Sequence, residues 1–376
     1  MSALKFGFTT GSCAAAGSKA CAYMLLSGKI KENITIVTPK GLDFNASIKD
    51  IDRKENQVTC SVIKDGGDDP DVTTGCHIVS RVSFIRDPEK EKKGAAFVVI
   101  EGGKGVGRVT KPGLDQKPGN AAINHVPREM IEKEVLEVCR LFDYNGGLSV
   151  EISVPEGEEL AEKTFNPRLG ITGGISILGT SGVVEPMSMQ AIKDTILVEL
   201  KMQKASGKTV AAVSPGNYGL DFMKENFGFD LDKSVKCSNF IGDTVDMAVE
   251  LGFKKLLLTG HTGKLIKVSG GIMNTHSREG DCRMELMSSF ALKAGGSLEL
   301  CKSILDCVST EEALALLKAE GLLEKTMNLV MEKIMFFLNK RAAGKIEIGC
   351  MMYANGFGLV SSGGNAETIL EEAKNE

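Results

Sequence analysis

The stretch Asp65-Gly66-Gly67-Asp68-Asp69-Pro70-Asp71 sets four carboxylates within seven residues. Oxygen ligands at that density suit a hard divalent cation, although the spacing is not that of an EF-hand loop; the alternative is a solvated turn rich in Asp and Gly. The chain has four histidines. A lone histidine is more often hydrogen-bonded structure than catalyst, but His261 and His276 stand in polar loops where a ring nitrogen could move a proton. Cys13 begins an Ala-rich run, where a helix N-terminus would favour a thiolate; with Ala14 to Ala16 packed behind it, the small-hydrophobe reading is the stronger. No CxxC spacing occurs among the ten cysteines, so they read as free thiols rather than as a zinc site or a disulfide frame.

Glycine marks a second kind of candidate. Gly173-Gly174 follow Ile171 within the Gly-interrupted apolar run Leu169 to Ile177, and Gly179-Thr180-Ser181-Gly182 come after it. Pro215-Gly216-Asn217 follows Thr209 to Val213, Gly260-His261-Thr262-Gly263-Lys264 follows Lys255 to Thr259, and Ala354-Asn355-Gly356 follows Ile346 to Tyr353. At the carboxyl ends of parallel strands such loops let backbone N–H groups approach a ligand, and the helix that follows favours negative charge. Two look-alikes fail. Ser206-Gly207-Lys208-Thr209 lacks the first glycine of a P-loop, since Met202 holds that position, and the loop Gly102 to Gly107 lacks the G-x-G-x-x-G spacing.

These residues need elements to hold them. Thr10 or Ser12 is suited to cap a helix through Leu26, ended by Ser27-Gly28. Ile34 to Thr38 reads as a strand, Leu42 to Ile51 with Gln57 to Lys64 as a hairpin, and Ile78 to Phe84, Ala95 to Glu101 and Leu148 to Val154 as further strands. Ile131, Val135, Val138 and Phe142 share one face of a helix begun near Pro127. Many strands without alternating helices predict an α+β domain over residues 1–155. From 156 to 376 strands alternate with helices, which predicts an α/β domain with a mostly parallel sheet. Leu256-Leu257-Leu258 reads as a strand buried on both faces, and Ser309 with Glu312 as a capping box.

Composition narrows the function classes. The formal charge of −4, the absence of Trp and only four Tyr argue against nucleic acid. No apolar run reaches the roughly 18 residues of a membrane span, and the start Met1 to Gly7 lacks the order of a signal peptide, so a cytoplasmic chain is expected. A homo-oligomer is compatible with all of this.

Several strings together resemble one family. They are Thr9 to Ala16, Lys64 to Asp71, Gly102 to Leu114, Asn166 to Ile171, Gly173 to Ser188, Gly216-Asn217, Lys236 to Gly242, Gly260 to Lys267, and Gly270 to Ser277. They resemble, in order along the chain, the CbiD family of cobalt-precorrin-5B C(1)-methyltransferases of anaerobic cobalamin biosynthesis. The resemblance implies a methyl transfer from S-adenosyl-L-methionine to carbon 1 of a corrinoid precursor, giving cobalt-precorrin-6A. It also implies that cobalt belongs to the tetrapyrrole substrate and that the second domain is Rossmann-like. It carries over no catalytic residue, so the roles follow from chemistry. Gly173, Gly174, Gly179, Thr180, Asn217, Gly260 and Gly263 are expected around the donor, with Glu185 or Asp221 for its ribose or amino group. Thr10, Ser12, Asp68, Asp69, Arg108, Lys111, Arg168, Lys264, Asn274 and His276 are expected to meet the carboxylate-bearing macrocycle, and Lys267, Arg278 and Arg283 are further cations nearby. The acidic loop would repel such a substrate unless it bonds to backbone N–H groups or a basic residue, or reaches cobalt through water. His261 is the candidate to remove a ring proton. A nucleotide-dependent kinase or ligase and a corrinoid carrier without catalysis are the competing classes.

Overall fold

The computed structural model describes residues 4–87, 94–216 and 220–376. It divides into two compact units, Met1–Ser188 and Met189–Glu376. The boundary therefore falls after 188 rather than 155.

In the first unit five strands run in the order Lys49–Lys54, Gln57–Ile63, His77–Ile85, Gly147–Ser153, Phe97–Gly102. All neighbours are antiparallel except the last pair. Val58, Cys60, Val62, Ile78, Ser80 and Val82 are buried, as period-two strands with one covered face require. The helices Thr10–Ser27 and His125–Leu141 supply that cover. Small residues bring the first helix close to the sheet: a Cβ added to Gly17 would stand 2.7 Å from Ser80 Oγ. The expected hairpin is shared out differently. Lys49–Lys54 pairs with Gln57–Ile63, whereas Asp43–Ser47 pairs with Asn33–Val37 in a separate two-stranded sheet.

The run Leu169 to Ile177 is not a strand of the parallel sheet. It yields two short pieces, Ile171–Thr172 on Arg108–Val109 and Gly174–Ile175 on Gly105–Val106, inside the first unit. Glycine makes this junction possible. A Cβ on Gly105 (φ +72°) would lie 1.8 Å from Val154 O, and Cβ atoms on Gly157 and Gly174 would lie 2.0 and 2.1 Å from Gly105 O. Three backbones thus meet where no side chain fits.

The second unit holds five strands in the order Val235–Lys236, Val210–Ser214, Lys255–His261, Glu347–Ala354, Gly358–Gly363. The first four are parallel and the last is antiparallel. Alternate residues serve opposite faces. Ala211, Val213, Leu256, Leu258, Ile348 and Cys350 enter a core with the helices Ile241–Glu250, Arg283–Ala294 and Leu323–Ala342. Val210, Ala212, Leu257 and Met351 enter another with Leu220–Phe227 and Ala366–Asn375. Double cover explains why Leu256-Leu257-Leu258 is apolar without a break. The chain is a mixed α/β protein. No helix among the described residues is long and apolar enough to cross a membrane.

Candidate active site

Strand order sets the place of the site. Val210–Ser214 pairs with Val235–Lys236 on one side and Lys255–His261 on the other, so the connections leave in opposite directions. In an open α/β sheet the loops beyond such a reversal part and leave a crevice. Here a cavity of about 290 Å³ opens there, lined by Pro215 and Gly216 after one strand, by His261 at the end of the next with Lys264 beyond it, and by Tyr353 near the end of a third with Asn355 beyond it. Arg283 and Glu311 complete its rim from two helices.

Four of its polar side chains are held in place. His261 ends its strand and caps the helix Thr262–Ser269: its Nδ1 accepts the Gly263 N–H at 3.1 Å. That leaves the ring hydrogen on Nε2, which faces Glu311 Oε1 at 2.9 Å. Glu311 lies in the first turn of the helix Thr310–Ala319, whose capping box is the expected pair Ser309 and Glu312. Its Oε2 accepts the Thr310 hydroxyl at 3.0 Å. The Lys264 ammonium donates to Pro215 O at 2.7 Å and to Ser238 O at 3.3 Å. Burial pulls its pKa below the ordinary lysine value, and the charge of Lys267 adds to that. Arg283 is locked on Asp281, Nη2 to Oδ2 at 2.9 Å. Burial raises the Tyr353 pKa, so the phenol stays protonated.

Two family models match the chain: CbiD over residues 1–186, and CbiD, C-terminal domain, over residues 274–364. A relative from Ruminiclostridium cellulolyticum named cobalt-precorrin-5B C(1)-methyltransferase is 49% identical, with 94% of this chain and 89% of that protein covered. One of the same name from Methanocaldococcus jannaschii is 39% identical, with 93% of each covered. The chain belongs to the CbiD family. A crystal structure of the cobalamin biosynthesis protein cbiD from Archaeoglobus fulgidus is 26% identical, covering 73% of this chain and 84% of that one, with a TM-score of 0.37.

In this CbiD chain the expected residues part company. Gly260, Gly263, Lys264 and His261 gather at the cavity or against its wall. Gly260 does so because a Cβ there would meet Leu265 Cγ and Pro215 Cγ at 3.0 and 3.1 Å. The Gly263 N–H is spent on His261 rather than offered to a ligand. Asn217 lies outside the described residues, and Asp221 belongs to the helix Leu220–Phe227. Asn274 and His276 form a turn away from the cavity lining. Asn274 Oδ1 accepts the His276 N–H at 3.2 Å, His276 Nδ1 accepts from Arg278 N at 3.0 Å, and buried Lys267 donates to Thr275 O and Gly280 O.

The remaining expected residues belong to the first unit, so Gly173, Gly174, Gly179 and Thr180 are not loops of the parallel sheet. The helix starts earlier than expected. Thr9 is its N-cap, with Oγ1 accepting from Ser12 N at 3.2 Å. Thr10 Oγ1 accepts from Leu178 N at 2.9 Å, and Ser12 Oγ donates to Gly182 O at 2.6 Å. Gly179 (φ +133°) has no room for a Cβ beside Thr9, and Glu185 is paired with Lys40. Arg108 bonds Glu101 at 2.9 Å, while Lys111 and Arg168 are exposed.

The acidic loop has internal partners. Asp68 accepts from Lys5 N at 2.6 Å, Asp69 from Met187 N at 3.1 Å, and Asp65 from Lys5 Nζ at 2.6 Å. Asp71 pairs with buried Lys64 at 2.6 Å. No group of three or more His, Cys, Asp or Glu that could hold a metal ion stands together among the described residues. Cys13 is buried, and burial pushes its thiol up to about 12 despite the charge of Lys64. An inert thiol follows.

Sequence reasoning missed Glu311 and Tyr353. Glu311 sat beside a correctly read helix cap, but nothing local ties it to His261.

Proposed function

We propose that this chain is a C-methyltransferase that methylates carbon 1 of cobalt-precorrin-5B, giving cobalt-precorrin-6A, with S-adenosyl-L-methionine as donor bound in the cavity of the second unit. We read that unit as a Rossmann-like layer and the chain as a cytoplasmic enzyme. The relatives' shared name and 49% identity support the reaction. The single observation that carries the donor site is the cavity beyond the strand reversal, with a held cation and a held carboxylate in one wall. The donor brings an electrophilic methyl on a sulfonium, and the acceptor is an electron-rich ring carbon, so the transfer asks little of acids or bases. It asks for alignment of the reacting atoms, about 3–3.5 Å apart, and exclusion of water.

The chain's residues suit that task. Gly260 lets the strand end close on Pro215, and Tyr353 gives a buried, neutral wall. His261 has Nδ1 engaged by Gly263 and Nε2 engaged by Glu311, so we assign it the positioning of Glu311 rather than proton removal. A His261→Asn enzyme whose pH profile of kcat keeps its shape supports this; loss of a limb near neutrality would restore the ring as base. For the carboxylate arms of the macrocycle, exposed Arg108, Lys111 and Arg168 are proposed, since Arg grips a carboxylate through two parallel bonds.

Thermal melting with S-adenosylhomocysteine tests the donor site. At a hundred times its Kd the ligand adds about 2.7 kcal/mol to the unit that binds it. A melting curve unmoved at saturating ligand rejects donor binding and leaves a corrinoid carrier as the better reading.

A further inference from the structure

The wall of the cavity carries opposite charges in fixed places, and each has capacity left. A lysine ammonium has three N–H donors. Lys264 spends two on the carbonyls of Pro215 and Ser238 and pairs with no carboxylate among the described residues, so its charge and one donor remain. Arg283 turns Nε and Nη2 to Asp281, and its remaining charge acts on Glu311 rather than on Lys264's partners. Opposite in sign, Glu311 has about four acceptor sites on its carboxylate. One accepts the Thr310 hydroxyl, and Oε1 lies 2.9 Å from His261 Nε2. His261 is itself pinned at Nδ1, so the carboxylate is braced from the strand end.

A plain anion in this cavity would gain Lys264 and meet repulsion from Glu311. A plain cation would meet the reverse. A ligand end bearing an anion and a cation on adjacent atoms satisfies both groups. At about 290 Å³ the cavity lies at the foot of the ~300–1,000 Å³ range of whole-ligand pockets, which suits one end of a larger molecule.

Resting on the donor reading above, we propose that this cavity recognises the zwitterionic α-amino-acid end of the methyl donor, with Lys264 taking the α-carboxylate and Glu311 the α-ammonium. Held at both charges, the amino-acid end fixes the direction of the sulfonium a few bonds away. This moves Lys264 from the macrocycle to the donor and replaces Glu185 or Asp221 with Glu311 as the carboxylate that meets the donor's amino group.

Calorimetry with two probes tests the proposal: S-adenosylhomocysteine, and methylthioadenosine, which keeps the nucleoside and sulfur but lacks the amino-acid end. Wild-type protein is expected to bind the first at least about tenfold more tightly (1.4 kcal/mol). Equal affinity overturns the proposal with no variant needed. Lys264→Met and Glu311→Gln are each expected to weaken S-adenosylhomocysteine about tenfold or more while leaving methylthioadenosine nearly unchanged. Equal losses on both probes overturn the amino-acid assignment yet keep the cavity as the donor site. No loss on either probe overturns the cavity itself. The conservative Lys264→Arg and Glu311→Asp proteins, checked for native melting, guard against a folding defect, and partial recovery of the first probe's affinity is expected in them.

Discussion

Lys64 is 2% exposed, and its ammonium meets Asp71 at 2.6 Å. Burial alone would raise the Asp71 pKa; the Lys64 charge and the bonds from Thr73 outweigh it and leave the carboxyl below its ordinary 3.8. A carboxylate of lowered folded pKa contributes in full above that ordinary value and loses the contribution as pH falls through the lower, folded one. Asp71→Asn strands a buried ammonium, so a cost of about 3 kcal/mol near neutral pH is expected, with a shallower loss of stability below pH 3.8. Urea denaturation across pH checks both, and a neutral variant means that water replaces the carboxylate. The acidic run was legible as a cluster needing partners. That a basic residue or main-chain amides could partner it was legible as well; that Lys5, Lys64 and Met187 supply them was not, because the first unit's fold brings Lys5 and Met187 to the loop from distant positions in the chain.

Helix ends were easier to read than strand partners. Ser309 and Glu312 announce their helix because a capping box is a contact across three residues. Glu311, for which a donor contact is proposed, sits between its two members. Ser309→Ala is expected to lower stability by about 1 kcal/mol. It should also weaken S-adenosylhomocysteine binding in the same calorimetric titration, through a frayed first turn; unchanged affinity would show that the cap does not position Glu311. The run Leu169 to Ile177 misled for the opposite reason. Its apolar composition suits a strand, but Gly174 must lie on Gly105, and that contact leaves no periodic trace. The loop at Gly179 to Gly182 then follows the helix start at Thr9, not the parallel sheet.

Each unit is large enough to build its own core, and the apolar clusters of the two share no residue. Every described lining residue of the proposed donor cavity lies in the second unit. A fragment of residues 189–376 is therefore expected to unfold cooperatively and to bind S-adenosylhomocysteine with an affinity close to that of the full chain. Calorimetry on the purified fragment decides this. A folded fragment that does not bind would return Gly173, Gly179 or Thr180 to the donor site.

Capping, period-two alternation and doubly covered apolar runs act within a few residues, so the first helix and its end at Gly28, the strand at Leu256 and the α/β character of the second unit were readable from residue order. Family membership was readable too, because it rests on strings of neighbouring residues. Which loops converge was not. Lys264 reaches Pro215 and His261 reaches Glu311 only after the parallel strands have taken their order and register. The unit boundary after Ser188 likewise follows from backbone contacts among Gly105, Gly157 and Gly174. Such long-range pairings are set by the packing of whole sheets, and no short stretch of chain encodes them.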